Sequence, residues 1–202
     1  MIPAVVLAAG LSSRMGRSKA LVPISDRETF LSRVVRTFLE GGADDIVIVI
    51  GHEGEAVAGH VAAAALPARL VFNAAYENGQ FSSVLAGLQA VDRPGVRGLL
   101  LTPVDVPLVA ASTVRAVIDR YRASSAPIVR PVRGDEHGHP VLIDRALFAP
   151  LRAANPAHGA KPIVRAHASP AGDVAVTDTG AFLDIDTPED YMRVFGVPLP
   201  TE

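Results

Sequence analysis

The residues richest in chemistry lie near the N-terminus, in the run Leu7-Ala8-Ala9-Gly10-Leu11-Ser12-Ser13-Arg14-Met15-Gly16-Arg17-Ser18-Lys19. Its glycines allow tight turning, Ser12 and Ser13 add hydroxyl donors, and Arg14 and Lys19 bring fixed positive charge. Backbone N–H groups turned inward by such a loop form an anion-binding nest, so the chemistry it suits is the holding of a triphosphate. The dinucleotide fingerprint G-x-G-x-x-G is absent. The P-loop spacing G-x-x-x-x-G-K-[ST] also fails, because five residues separate Gly10 from Gly16 and no Lys follows Gly16 directly.

A second candidate is Asp105, which follows the apolar run Leu99-Leu100-Leu101 and sits between Pro103 and Pro107 with no other charge nearby. A carboxylate there is costly to desolvate unless it is paired or bound to a cation. A solvated turn Asp is the plain alternative; opposite a triphosphate loop, a hard oxygen ligand for Mg²⁺ is the better reading. The string Asp184-Ile185-Asp186-Thr187-Pro188-Glu189 has the form of a helix start, with Thr187 or Asp186 as the cap. Gly79-Gln80-Phe81-Ser82-Ser83 groups an amide and two hydroxyls: Gln80 could bond a base edge, while the serines could bind or cap a helix. His139, in Gly138-His139-Pro140, is weak as a catalytic signal among six histidines, and no pair of them has zinc-protease spacing.

The elements that must position these residues read as alternating strands and helices, the pattern of βαβ units and a mostly parallel sheet. Strands are expected at 4–7, 45–50, 69–72, 98–101 and 127–129, with 141–143 as a further, antiparallel strand after a loop at 134–140. Helices are expected at 28–40, 53–65, 82–90, 111–122, 144–153, 161–167 and 187–195, the first ended by Gly41-Gly42. The phosphate loop then sits at the carboxyl end of the first strand, where open α/β sheets bind ligands. With no linker-like stretch in its 202 residues, the chain is expected to form a single domain over 1–202, a Rossmann-like α/β fold with helices on both faces.

Composition narrows the partners. Hydrophobic residues make up 49% and aromatics only 5%, with no Trp, so the core must be built from Ala, Val, Leu and Ile. Net charge is −2 and the 19 basic residues are scattered, which gives no footprint for nucleic acid. The absence of cysteine removes disulfides, thiolate metal sites and cysteine nucleophiles. The N-terminus lacks a basic leader and no apolar run reaches the roughly 18 residues of a membrane span, so a cytoplasmic protein with no membrane partner is expected.

The full run L-A-A-G-x-x-x-R-M-G-x-x-K resembles the signature of the MobA-like NTP transferases, and within them it is most similar to the molybdenum cofactor cytidylyltransferases. Segments 73–83, 102–107, 138–141 and 184–190 match in order and spacing. The resemblance implies a nucleotide-diphospho-sugar-transferase-like fold and Mg²⁺-dependent transfer of a nucleoside monophosphate from an NTP, with CTP expected, to a phosphorylated acceptor, with molybdopterin or molybdenum cofactor expected. It assigns catalysis to Arg14, Lys19 and Asp105, and the nucleotide to Leu7, Ala8, Ala9, Gly10, Ser12, Ser13, Gly16, Gln80 and Ser83. Asp105 becomes a metal ligand, and Asp186 either the second ligand or a helix cap. Gly138, His139 and Pro140 are placed against the acceptor, and Lys161, in Gly159-Ala160-Lys161, stands where relatives have Arg.

The segment Asn155-Pro156-Ala157-His158 departs from the acidic form of relatives, which leaves the acceptor open. Related guanylyltransferases carry L-A-G-G where this chain has Leu7-Ala8-Ala9-Gly10, so the Ala9 methyl is expected to narrow the pocket toward CTP. Three rivals stay in view: a sugar- or alditol-phosphate nucleotidyltransferase, a non-catalytic cofactor chaperone serving a molybdoenzyme partner, and a nicotinamide-linked oxidoreductase, which the missing fingerprint disfavours.

Overall fold

The structure, a computed structural model, describes residues 1–124 and 126–200. Its central strands are continuous apolar runs, β1 (Ala4–Ala8) and β4 (Ile46–Ile50), in which every residue is buried, as strands covered on both faces must be. β1 lies between β4 and β6 (Gly98–Pro103) and is parallel to both; β4 in turn pairs in parallel with β5 (Arg69–Phe72). Beyond β6 comes β9 (Val141–Asp144), antiparallel to it as expected, then β7 (Ile128–Arg133) and β10 (Asp173–Ala175). The order is β5-β4-β1-β6-β9-β7-β10, so the chain reverses its direction of growth between β1 and β6.

Alternation along the strands sorts the helices into two layers. Ala4, Val6, Ala8, Ile46 and Ile48 face α1 (Phe30–Glu40), α2 (Gly54–Ala63), α4 (Ala111–Ser124) and α7 (Pro188–Phe195). Val5, Leu7, Val47 and Val49 face α3 (Gln80–Val91) and α5 (Phe148–Ala153), with α6 (Lys161–His167) at the margin. On this second face α3 lies so close to the sheet that a Cβ at Gly87 would stand 2.3 Å from Val5 Cγ1. Helix ends follow local chemistry: Thr29 and Ser32 form a capping box on α1, and Gly42 at φ +97° follows its C-terminus.

The structure departs from the expected elements where pairing overrides local pattern. Residues 28 and 29 are not helical: they form β3 (Glu28–Thr29), which pairs with β2 (Pro23–Ser25), and Thr29 caps the helix that begins at Phe30. The expected loop at 134–140 contains β8 (Glu136–His137), folded back on β7. The helix expected from 144 begins at Phe148, because Asp144 accepts from Ala146 N at 2.7 Å and sets a 3₁₀ turn first. Among the described residues no helix is long and apolar enough to cross a membrane.

Candidate functional site

The loop after β1 and the turn after β6 face each other at the point where strand order reverses, the place where open α/β sheets form a ligand crevice. Val104 N donates to Leu7 O at 3.1 Å and holds the two walls together. Ser12 sits at φ 51° and Gly16 at φ +77°; Met15 N and Gly16 N both donate to Ser12 O, at 2.9 and 3.1 Å. The Ser12 hydroxyl is turned inward, where it accepts from Lys19 N at 3.1 Å. Its role is therefore to close the loop. A Cβ would meet nothing within 4 Å at either Gly10 or Gly16, but only Gly16 has a positive φ. The fold makes no demand for glycine at Gly10, and the space beside it opens to the cleft.

That cleft, about 310 Å³, is walled by Leu7 to Arg14, Lys19, Gly79, Gln80, Ser83 and Asp105 among others. The structure thus gathers all the expected nucleotide residues but Gly16, which shapes the loop from outside. On its wall the Lys19 ammonium donates to Asp105 Oδ2 at 2.8 Å and to Asp186 Oδ1, and Arg14 Nη2 pairs with Asp186 Oδ2 at 3.0 Å; Asp186 itself stands behind these cations and is not a wall residue. The late segment is brought there by its backbone, since Ile185 N donates to Asp105 O at 2.9 Å. Burial pulls the Lys19 pKa down, but hydrogen bonds and charge from Asp105 and Asp186 outweigh it and hold the ammonium above its ordinary value. Asp184 stands alongside with its carboxyl pKa raised, first by burial and then by the charge of Asp105.

The cap question at the last helix is resolved locally. Thr187 Oγ1 accepts from Asp190 N at 3.1 Å and Asp190 answers to Thr187 N, a capping box that leaves the Asp186 carboxylate free to face Lys19 and Arg14. Asp105 Oδ1 is buried and has no hydrogen-bond partner, which is costly unless a cation shares it. Among the described residues no three His, Asp or Glu side chains converge as a metal cage. Magnesium does not require one, because one or two carboxylates and substrate phosphates complete its shell.

Neither serine of α3 caps it. Ser82 Oγ donates to carbonyls, Gly79 O at 2.8 Å and Ala75 O at 2.9 Å, and the cap position is Gly79. Asn73, almost wholly buried, links both hydroxyls: its Nδ2 donates to Ser82 Oγ at 2.8 Å and Ser83 Oγ at 3.0 Å. The exposed Gln80 is left at the cleft mouth. Ala9 departs from the expectation that its methyl narrows the pocket. It is 2% exposed, and its methyl lies beneath the loop, where a Cβ at Gly51 would stand 3.0 Å away. Ala9 meets the cleft without its side chain narrowing it.

A second cleft of about 640 Å³ shares Leu7, Gly79, Gln80 and Pro103 with the first, and its wall includes Gly138, His139 and Lys161, three of the residues expected against the acceptor. Pro140 is buried behind this wall. Backbone contact holds the wall in place: Gly138 N donates to Pro131 O at 2.9 Å, His139 N to Ala181 O at 2.8 Å, and a Cβ at Gly138 would meet Ala181 O at 2.4 Å. The His139 ring is largely buried, which pushes its pKa down against the pull of Asp184 and Asp105, and its Nδ1 has no partner. Sequence reasoning missed Arg130, His137, His158 and Arg165 on this wall. The only local signal was the unusual Asn155 to His158 stretch; Arg130 sits in a strand and Arg165 in a short helix, where basic residues are ordinarily solvated.

The MobA-like NTP transferase domain matches residues 4–171. Over 203 residues the chain is 31% identical to nicotine blue oxidoreductase of Paenarthrobacter nicotinovorans, covering 96% of each. It is 26% identical over 193 residues to the molybdenum cofactor cytidylyltransferase of Escherichia coli K12, covering 95% of this chain and 94% of that one. A further match, 46% identical over 92 residues to the bifunctional IPC transferase and DIPP synthase of Rubrobacter xylanophilus, takes in 44% of this chain and only 21% of that protein. The crystal structure of Rv0371c from Mycobacterium tuberculosis superimposes with a TM-score of 0.81 at 30% identity over 98% of this chain and 99% of that one, and the same protein has been solved in complex with manganese. On the extent of the domain match and the agreement of the cleft with it, the chain belongs to the MobA-like NTP transferase family.

Proposed function

We propose that this MobA-like NTP transferase moves CMP from CTP to a phosphorylated acceptor, molybdopterin or its molybdenum form, with Mg²⁺ as cofactor. The observation that carries the reading is the meeting of the loop cations with two carboxylates from distant segments, through Lys19, in a cleft walled by a phosphate loop. Asp105 and Asp186 would hold the metal, whose chemistry is to neutralise charge on the phosphate oxygens. The partnerless Asp105 Oδ1 supports that assignment, and so does the manganese complex of Rv0371c.

The chain's own residues perform the remaining work. Loop amides and Arg14 orient the triphosphate; its side chain is 67% exposed, so it can swing from Asp186 to a phosphate. An acceptor phosphate oxygen attacks the α-phosphorus in line, the new O–P bond forms, and the bond to the β-phosphate oxygen breaks with pyrophosphate leaving. The attacking oxygen is already anionic, so no proton moves and no general base is needed. Lys19 stabilises the charge gathering on the leaving group. Preference for CTP rests on Gln80 at the cleft mouth and on similarity to the cytidylyltransferase, not on the Ala9 methyl.

The test is pyrophosphate release from each of the four NTPs, with and without molybdopterin cofactor. Release with CTP that depends on the cofactor supports the reading; no release with any NTP sinks it. A second reading, an oxidoreductase on the same scaffold, is favoured by the full-length similarity to nicotine blue oxidoreductase. Retention of Arg14, Lys19 and Asp105 argues for group transfer, and binding of NADH by the purified chain would reverse that ranking.

A further inference from the structure

The nucleotide cleft pairs its cations with carboxylates; on the wall of the neighbouring cleft Arg130 is paired with Asp173, while among the described residues Lys161 and Arg165 have no carboxylate partner. This wall carries Arg130, Lys161 and Arg165 together with His137, His139 and His158, and not one Asp or Glu. The chain has 21 acidic residues against 19 basic, so this segregation belongs to the wall and not to the composition. Arg130 projects from β7 with its side chain 14% exposed, and Asp173 Oδ1 holds its Nε at 3.1 Å. That contact uses one of five donors and orients the guanidinium plane. Lys161 and Arg165 stand one turn apart on α6, on the same face. Between these cations and the shared boundary at Gln80 the wall is apolar, with Phe81, Val84, Leu101 and Val141.

An acceptor seated here reaches the nucleotide cleft at Gln80 and Pro103, which places its reacting phosphate at that end and its body over the apolar stretch. The remaining charged groups of this wall are Arg130, Lys161 and Arg165. A neutral, hydroxyl-rich body would bring donors to a wall without a carboxylate acceptor and leave Lys161 and Arg165 without an anionic partner. We propose that the acceptor carries a second anionic group, remote from the phosphate that attacks, and that Arg130 and Arg165 recognise it. This rests on the nucleotidyl-transfer reading for the direction of the acceptor, and it sets a substrate class against simple sugar phosphates.

The experiment measures binding of three probes to the full chain by calorimetry, with a saturating non-hydrolysable CTP analogue present to occupy the phosphate loop. Glucose 1-phosphate has one anionic group, glucose 1,6-bisphosphate adds a distal phosphate, and glucuronic acid 1-phosphate adds a distal carboxylate. The bisphosphate is expected to bind at least about tenfold more tightly than the monophosphate, and the glucuronate arm tells whether any anion or only phosphate is read. Arg165→Gln, on an exposed helix face, is expected to bring the ratio within about threefold, as is Arg130→Gln if the loss of its Asp173 pair leaves the melting temperature intact. Arg115→Gln, on the opposite layer, should leave it unchanged. Equal affinity for mono- and bisphosphate, no measurable binding of the bisphosphate, or a ratio that survives Arg165→Gln overturns the proposal. Selectivity that persists in a protein unable to bind CTP would instead remove the nucleotidyl-transfer reading and leave the anion site standing.

Discussion

Replacing Asp105 by Asn keeps the shape of the side chain and removes its charge, which separates two consequences that the structure allows to be weighed. At 2.8 Å from the Lys19 ammonium, and with an effective dielectric of about 20, the gross attraction is about 6 kcal/mol. Two terms offset most of it. Burial of Lys19 is the largest influence on that group, and Asp105 repels Asp184, whose pKa is raised first by burial and then by that charge. Lys19 also keeps Asp186 as a partner, so the variant leaves no orphaned ammonium. The net loss of stability is therefore expected to be about 1 kcal/mol, visible as a small fall in Tm. Turnover should fall much further. A carboxylate that anchors the metal supports several kcal/mol of transition-state charge stabilisation, and losing about 4 kcal/mol means about a thousandfold in rate. The assay is Mg²⁺-dependent pyrophosphate release with CTP, with thermal melting by circular dichroism as the control. Activity within about threefold of wild type would refute the metal role of Asp105 and with it the charge argument.

Lys19→Ala is expected to lower kcat more than it raises KM, because its charge is most useful as negative charge shifts onto pyrophosphate; a change confined to KM would show uniform binding instead. Ala9→Gly, whose lost methyl is packed beneath the loop, should weaken CTP and GTP alike; a kcat/KM ratio for the two nucleotides that moves more than about threefold would return the methyl to the pocket. Stability should decline on acidification in two stages. Burial holds the pKa of His60 below 6.5, so the stability it confers as a neutral ring is present above that value and is lost as pH falls toward its folded pKa. The hydrogen bond from Arg33 holds Glu28 below 4.5, so its contribution is lost only as pH falls below that value; Asp190, where hydrogen bonds from Thr187 and the Asp186 amide outweigh burial, adds to the same stage, so Glu28→Gln should shrink the lower stage in a Tm scan and spare the upper one.

Much of the molecule is legible in the sequence, for reasons that are local. Short apolar runs such as Ala4–Ala8 and Ile46–Ile50, set between longer stretches of helical period, read as strands buried on both faces, and Gly41-Gly42 marks the end of a helix. The loop from Leu7 to Lys19 announced anion binding through residue type and spacing, and its position after β1 followed from the alternation of elements. What the sequence left open was every question whose answer lies on another segment. The Thr187 cap is made within its own segment, but the meeting of Asp186 with Lys19 depends on Asp105, whose carbonyl holds the Ile185 backbone. The Ala9 methyl pointed toward the pocket or away from it according to Gly51 and Tyr76, which arrive from other parts of the chain. Arg130 and Arg165 read as ordinary surface charges until β7 and α6 brought them to one acid-free wall. Hydrophobic period and loop chemistry are properties of neighbours along the chain, so the sequence determined them by itself. The pairing of charges and the direction of a methyl are properties of neighbours in space, and only the tertiary structure decided those.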